Sequence, residues 1–499
     1  MLVGLAIYFI IISMDGIRKM AGQKTTEDQF MGGRSIGPLV MMATMAMSMY
    51  SGLTYNGFPA TAYTQGIAYI APVGGALGQC IIIVIIGYRL WVLGRKYGFA
   101  SPAEYFRERY KSECLGYFIA VLLMVFIIPY VSMQLIAIGD TIHITTGIPY
   151  MIAVSVATIV IAFHCITGGL KSVAWTSFVQ FFIAYGGLTL VFIFLVRNYD
   201  GGLVGMFNDV MANDATKHAM IWDTEAHGWK YQLANAMTGS WVVISWPHIF
   251  RNSLAARGKR NFSTMATLIP LTMAYAFPML VIIGALMGNA YLGGQPVADG
   301  VMPTLASQYT PPLIAFISML VLCSFAVSTS DSFFLTAGQF ASKDVYMRVK
   351  YNNGHQVEEA QGVRVGRIVM AVMMVIMLFI VWVRPASVTD LAYKLSSPFF
   401  GMTLPSIIFG LYWKRGTRAG AWAGTLSGVV TCIIFTFFVK PPLGFSALIW
   451  GLFVNIILYL VVSFVTKPDQ DAADKYVTYV DDVVLRSQHF DELVGKAVS

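Results

Sequence analysis

Charge is what this sequence has least of. Only 12% of its 499 residues are Asp, Glu, Lys or Arg, about half the quarter that soluble domains carry. Cysteine is sparse too. Cys80, Cys114, Cys165, Cys323 and Cys432 stand singly in or beside apolar runs, which argues against a disulfide framework and a Cys-based metal site. There is no glycine-rich phosphate loop ending in Gly-Lys-Ser or Gly-Lys-Thr, no His-x-x-x-His pair and no nucleophile elbow. An ATP-driven pump or a membrane hydrolase therefore has no recognisable machinery here. Nor is there a pore filter repeated by symmetry, as an ion channel would need.

What is abundant is apolar sequence: 57% of residues are hydrophobic and the mean hydropathy is +0.67. A spanning helix needs about 20 mainly apolar residues. Thirteen segments qualify or nearly do: 2–17, 36–64, 67–94, 114–138, 149–167, 173–197, 231–250, 262–291, 310–340, 363–383, 387–413, 419–439 and 445–466. The first lacks a basic leader and a small-residue cleavage site, so it reads as a retained helix. Lysine and arginine gather in cytoplasmic loops. With the N-terminus outside, twenty-three of them fall in inside loops and only five (Arg197, Lys217, Lys230, Arg384, Lys440) in outside loops. An odd helix count then leaves the tail 467–499 cytoplasmic. The outside loop 199–230 is mixed and partly acidic.

Two segments look broken. The second contains Ser48, Ser51, Gly52, Asn56, Gly57 and Pro59; the seventh contains Thr238, Gly239, Ser240, Ser245 and Pro247. Backbone groups freed at membrane depth must be satisfied by a cavity, a neighbour or an ion. Interrupted helices at matching places in two halves point to a transporter site at a repeat interface. Glycine and proline are also simply common in membrane helices. The spacing fits two five-helix repeats over 36–198 and 231–413, with an extra helix and loop at 1–35 and two further helices at 414–466.

Polar groups at membrane depth cluster in the ninth segment. Ser328, Asp331 and Ser332 are i, i+3 and i+4 and share a helical face, with Thr329 beside them. Hydroxyls and a carboxylate make a hard-oxygen surface suited to a hard cation, and an intramembrane acid marks a functional site by default. Helix packing is the competing reading, since Ser and Thr often serve as glue between helices. Lys394 either faces the cavity or reaches an interface. His164 reads as a packed or interfacial histidine. His248, between Pro247 and Arg251, is expected to end a helix at the cytoplasmic surface, with Arg251 a candidate for shaping an inner gate.

Several stretches together resemble the sodium:solute symporter family. They are Gly168-Gly169-Leu170-Lys171-Ser172-Val173-Ala174-Trp175-Thr176-Ser177 with Gln180, Leu411-Tyr412-Trp413-Lys414-Arg415-Gly416-Thr417 before Ala419-Gly420, Ser48-x-x-Ser51-Gly52 with Gly57-Phe58-Pro59, and Ser328-Thr329 followed by Lys343-Asp344-Val345-Tyr346. Pro247-His248 with Arg251 is similar to the branch holding proline, pantothenate and short monocarboxylate carriers. The resemblance runs from about residue 15 to 466. It implies an all-α, leucine-transporter-like fold of ten core helices in two inverted repeats, and alternating access. It also implies a sodium ion between the first and eighth core helices. Carried over, the ligands are side-chain oxygens of Ser328 and Thr329 and the carbonyls of Met47, Tyr50 and Phe325.

Two positions depart from the family. Many members have Asp where Ser177 stands and use it in a second sodium site; some have Asp where Met49 stands. Ser177, Asp331 and Ser332 are therefore a candidate second cation set, with Asp331 on the face where other ligands of that ion would lie. The substrate cavity candidates are Tyr50, Thr54 and Asn56 on the first core helix, Gln79 on the second and Gln134 on the third. Trp241 and Trp246 on the sixth and Ser397 on the tenth complete the set. The expected function is sodium-coupled symport of a small, carboxylate-bearing solute across the plasma membrane, with no covalent chemistry and no cofactor besides sodium. Proton-coupled transport through Asp331 stays open. So does a transporter-like sensor, although the tail is too short for a signalling domain.

The topology has a direct test. Cysteines introduced at Asn213 and Gly258 should label from opposite faces of the membrane, Asn213 from outside. Labelling of both from one side would remove the thirteen-segment reading.

Overall fold

The computed structural model describes residues 1–20, 22–222, 228–229, 241–297, 300–384 and 388–486. Thr238, Gly239 and Ser240 of the seventh segment lie outside the described residues. The chain is helical, and among the described residues the only β contact is an isolated bridge between Ile36 and Ala256. The principal helices are α1 (Leu2–Met20), α2 (Pro38–Met49), α3 (Phe58–Gln65), α4 (Ile70–Tyr97), α5 (Pro102–Arg109), α6 (Glu113–Thr146), α7 (Tyr150–Arg197) and α8 (Gly202–Ala212). They continue as α9 (Pro247–Ala255), α10 (Lys259–Ile282), α11 (Pro312–Gln339), α12 (Glu359–Val383), α13 (Leu404–Tyr412), α14 (Arg418–Phe437) and α15 (Ala447–Val465). Among the described residues nine helices are long and apolar enough to cross a membrane. Large apolar side chains such as Phe182, Leu271, Phe379 and Val465 are exposed on their outer surfaces, as suits a solvent of lipid tails.

Two packing groups emerge. α11 lies against α6, α7 and α12, and these helices also pack on one another. α2, α4, α9 and α10 form the other group. The site sits where α2 meets α7 and α11. Segments 149–167 and 173–197 are the two halves of α7, divided at Gly169 with φ 59° and ψ −176°. That backbone region is open essentially to glycine alone. A Cβ there would also stand 2.9 Å from the Gln29 carbonyl oxygen. Gly284, just past α10, allows a close approach to α3: a Cβ would meet the Pro59 carbonyl oxygen at 2.1 Å.

Residues 470–486 do more than trail from the last helix. Tyr476, Val480 and Val483 are buried. Tyr476 stacks on Phe99 with centroids 5.9 Å apart, and Asp481 pairs with Arg89 at 2.7 Å. The docked segment covers the end of α4 that carries Arg89 and Tyr97.

Gly169→Ala should cost about 1–3 kcal/mol of stability, the usual range for a backbone forced into a sparsely populated region. Gly284→Ala should also destabilise, because helix backbone rather than a flexible side chain must give way. Melting of the purified protein checks both, and midpoints within about 1 °C of wild type, where 1 kcal/mol moves a 150–250-residue domain by roughly 2–4 °C, would contradict the account.

Candidate functional site

The break in the second segment falls at Tyr50, whose φ −93° and ψ 144° are extended. Continuing the helix would have bonded Met47 O to Ser51 N and Ser48 O to Gly52 N. Instead Ser51 N donates to Thr54 Oγ1 at 3.2 Å, and Gly52 N donates to Gln134 Oε1 at 2.5 Å. The Ser48 carbonyl accepts from His248 Nε2 at 3.2 Å. The freed Met47 and Tyr50 carbonyls both turn to one hydroxyl: Thr329 Oγ1 lies 3.2 Å from Met47 O, 3.0 Å from Phe325 O, and closest to Tyr50 O.

A threonine hydroxyl has one proton, so it satisfies one of these three carbonyls and leaves the lone pairs of the others converging. Such a set of hard oxygens, fully buried, fits a small hard cation. Ser328 Oγ is 2.7 Å from Ser177 Oγ. Met47, Tyr50, Phe325 and Thr329 are thus brought together, and Ser328 is linked to Ser177 on α7.

The second candidate set is dispersed. Ser332 Oγ meets Ser48 Oγ at 3.1 Å. Asp331 does not bond Ser177. Its Oδ2 is 2.8 Å from His164 Nδ1, and its Oδ1 accepts from Cys165 Sγ at 2.8 Å. His164 Nε2 is 3.3 Å from Ser172 Oγ, and Ser172 donates to Asp15 on α1. Since Ser172 gives its proton to Asp15, it accepts from Nε2, and the Nδ1–Oδ2 contact holds one further proton. Asp331 therefore ties α11 to α7 and, through two intermediaries, to α1.

The substrate candidates divide. Thr54 caps the break, and Asn56 Nδ2 donates to Thr141 Oγ1 at 3.1 Å. Gln134 holds Gly52 while its own Nε2 has no protein partner. Trp246 ends the extended step before Pro247; its ring lies 5.6 Å from Tyr130 and its Nε1 is unpartnered. Ser397 is buried at the start of a short helix. Tyr50 differs: its hydroxyl donates to Thr272 O at 3.0 Å, and its ring stacks on Phe325 at 4.9 Å, so it packs as a wall. Gln79 is buried on α4. Trp241 is 53% exposed and does not close the site. Lys394 is exposed and pairs with Asp390 at 2.7 Å.

One expectation is reversed. His248 and Arg251 are fully buried, so they do not end a helix at the surface; α9 continues to Ala255 before the chain emerges. Tyr130 was missed, although it sits four residues before Gln134 and hence on the same helical face. The Asp331–His164–Cys165 link was missed because His164 and Asp331 are 167 positions apart.

The model of the sodium:solute symporter family matches residues 29–428. A sodium/proline symporter of Staphylococcus aureus is 23% identical over 494 residues, 96% of this chain and 95% of its own length. Among solved structures, a Na+-coupled sialic acid symporter in a substrate-bound outward-open state superposes with a TM-score of 0.80 at 18% identity. It covers 92% of this chain and 96% of that one. A nucleobase-cation-symport-1 family transporter gives 0.57 at 13% identity, covering 90% and 97%. The fold is accordingly all-helical and leucine-transporter-like. The chain belongs to the sodium:solute symporter family, and it is a multi-pass membrane protein that couples sodium to the movement of a small solute.

Proposed function

We propose that the solute is a small carboxylate, of the monocarboxylate, pantothenate or proline kind, carried by alternating access. In this reading sodium is held by the carbonyls of Met47, Tyr50 and Phe325 and the hydroxyls of Ser328 and Thr329. The observation that carries it is the convergence of three carbonyl oxygens on the single hydroxyl of Thr329. The named function of the S. aureus relatives supports the substrate class. The N-terminus faces outside and the tail faces the cytoplasm, supported by the distribution of Lys and Arg among the loops. The repeats span 36–198 and 231–413. The solute contacts Thr54, Asn56, Gln134, Trp246 and Ser397, the candidates nearest the breaks.

Uptake into vesicles of a carboxylate panel (L-proline, pantothenate, lactate), with sodium replaced by potassium as control, tests the function. Uptake indifferent to sodium would overturn it. Thr329→Ala and Ser328→Ala each remove one oxygen contributing about 1.5–3 kcal/mol to a charged partner. Each should raise the sodium half-saturation roughly tenfold or more, with rate recovering at saturating sodium. Wild-type sodium dependence in both would show that the ion lies elsewhere.

Asp331 acts in this reading as a brace between α11 and α7. Asp331→Asn can still accept from Cys165, and its amide can donate to Nδ1 of a neutral His164. Sodium half-saturation should stay within about twofold, a change worth under 0.5 kcal/mol. Asp331→Ala leaves two buried groups unpaired and should destabilise by about 1–3 kcal/mol. A lowered sodium Hill coefficient in Asp331→Asn would instead make the carboxylate a cation ligand. Loss of the pH dependence of uptake would make it a proton carrier.

A further inference from the structure

The buried guanidinium groups of this protein are nearly all compensated. Arg109 donates to the carbonyls of Gly410 at 2.8 Å, Gly416 at 3.4 Å and Trp413 at 3.5 Å. Arg107 stands 3.0 Å from Glu113 and 4.0 Å from Asp344. Arg89 pairs with Asp481 at 2.7 Å. Arg251 is the exception. It is fully buried, yet it has a single acceptor where Arg109 has three: Nε and Nη2 both donate to Asn252 Oδ1 at 3.3 and 2.9 Å. Among the described residues no acid pairs with it. Its Nη1 has no protein partner, and neither does Nδ2 of Asn252, which is itself fully buried.

A guanidinium keeps its proton in proteins and offers five N–H donors. Left uncompensated in the interior, such a charge costs several kcal/mol. Two consecutive buried residues thus each keep an open donor, Nη1 of Arg251 and Nδ2 of Asn252. A buried cation with an open N–H calls for an anionic acceptor, and the charge-assisted hydrogen bonds of a carboxylate are the stronger kind. We propose that Arg251 and Asn252 form a binding site for a small organic carboxylate on the inner side of the sodium cluster.

Its position gives it a role. His248, one turn earlier on α9, donates to the Ser48 carbonyl, next to Met47 of the sodium cluster. Beyond Arg251, α9 ends at Ala255, and the carbonyl of the next residue, Ala256, accepts from Trp91 Nε1 at 2.9 Å and Arg95 Nη2 at 2.9 Å. Arg251 thus lies between the sodium cluster and the loop bearing Arg257, Lys259 and Arg260. Resting on the carboxylate reading above, the occupant is the solute on its way to the cytoplasm. It neutralises Arg251 for as long as it stays there, and it leaves the guanidinium bonded to Asn252 when it goes.

The test uses the purified full-length protein, with sodium propionate as probe against sodium chloride at equal concentration and propionamide as the uncharged control. Propionate, and not propionamide, should raise the melting temperature of wild type. Asn252→Asp places a carboxylate on Arg251 with no change of shape. It should melt higher than wild type without propionate and lose the propionate response, with a half-saturation at least tenfold higher. Arg251→Lys should weaken the response and Arg251→Gln abolish it. No response in wild type, or an undiminished one in Asn252→Asp, overturns the site, and the second readout does not depend on whether Arg251→Gln folds. Uptake separates this proposal from the substrate reading. A carboxylate carried with unchanged kinetics by Asn252→Asp sinks the site and leaves the reading standing. Transport of uncharged solutes alone removes the reading, while the propionate response still decides the site.

Discussion

Breaking a helix inside a bilayer frees backbone groups that lipid cannot satisfy, and this part of the structure is arranged around one such break. At Tyr50 the chain turns extended; the Ser51 amide is met within the segment by Thr54, and the other released groups find partners on three other helices. Gln134 of α6 takes the Gly52 amide, His248 of α9 gives to the Ser48 carbonyl, and Thr329 of α11 meets Met47 and Tyr50. Both packing groups therefore meet at one residue of broken helix. Three carbonyls on one hydroxyl is a surplus of acceptors, which the coupling cation of the proposed site would relieve. In that proposal, removing the cation returns competition for a single proton, so the ion would have a direct hold on how α2 and α11 sit together.

The same economy of polar groups explains the scaffold. Asp331 is a carboxylate in an apolar bundle, an arrangement that is tolerable only when it is paired. Its two oxygens are taken by His164 and Cys165 on α7, and the far nitrogen of His164 reaches Asp15 through Ser172. α1 is thereby fastened to the half of the molecule that contains α11. The docked segment 470–486 provides a further clamp. It neutralises Arg89 through Asp481 and stacks Tyr476 on Phe99, so that a buried arginine at the end of α4 is compensated by residues near the other end of the chain.

Much of this was legible before any coordinates. Apolar runs and the scarcity of charge dictate a membrane bundle, because no aqueous core absorbs so much hydrophobic sequence. Ser, Gly and Pro within the second segment announce the break, because few other residues tolerate the freed backbone. The helical period puts Ser328, Asp331 and Ser332 on one face of the ninth segment, and the family resemblance singles out Ser328 and Thr329. What the sequence could not decide is which of two equal-looking partners a polar group takes. Asp331 and Ser332 share a face, yet one turns to α7 and the other to α2. Tyr50, a residue of the break, turns its ring into an aromatic wall, and Trp241 stays exposed. Arg251 reads as one more loop arginine, since only packing against α2, α4 and α11 buries it. The helical period fixes a side chain's direction from its own axis. Which neighbour occupies that direction is set by the packing of helices hundreds of residues apart, and that is a property of the tertiary structure alone.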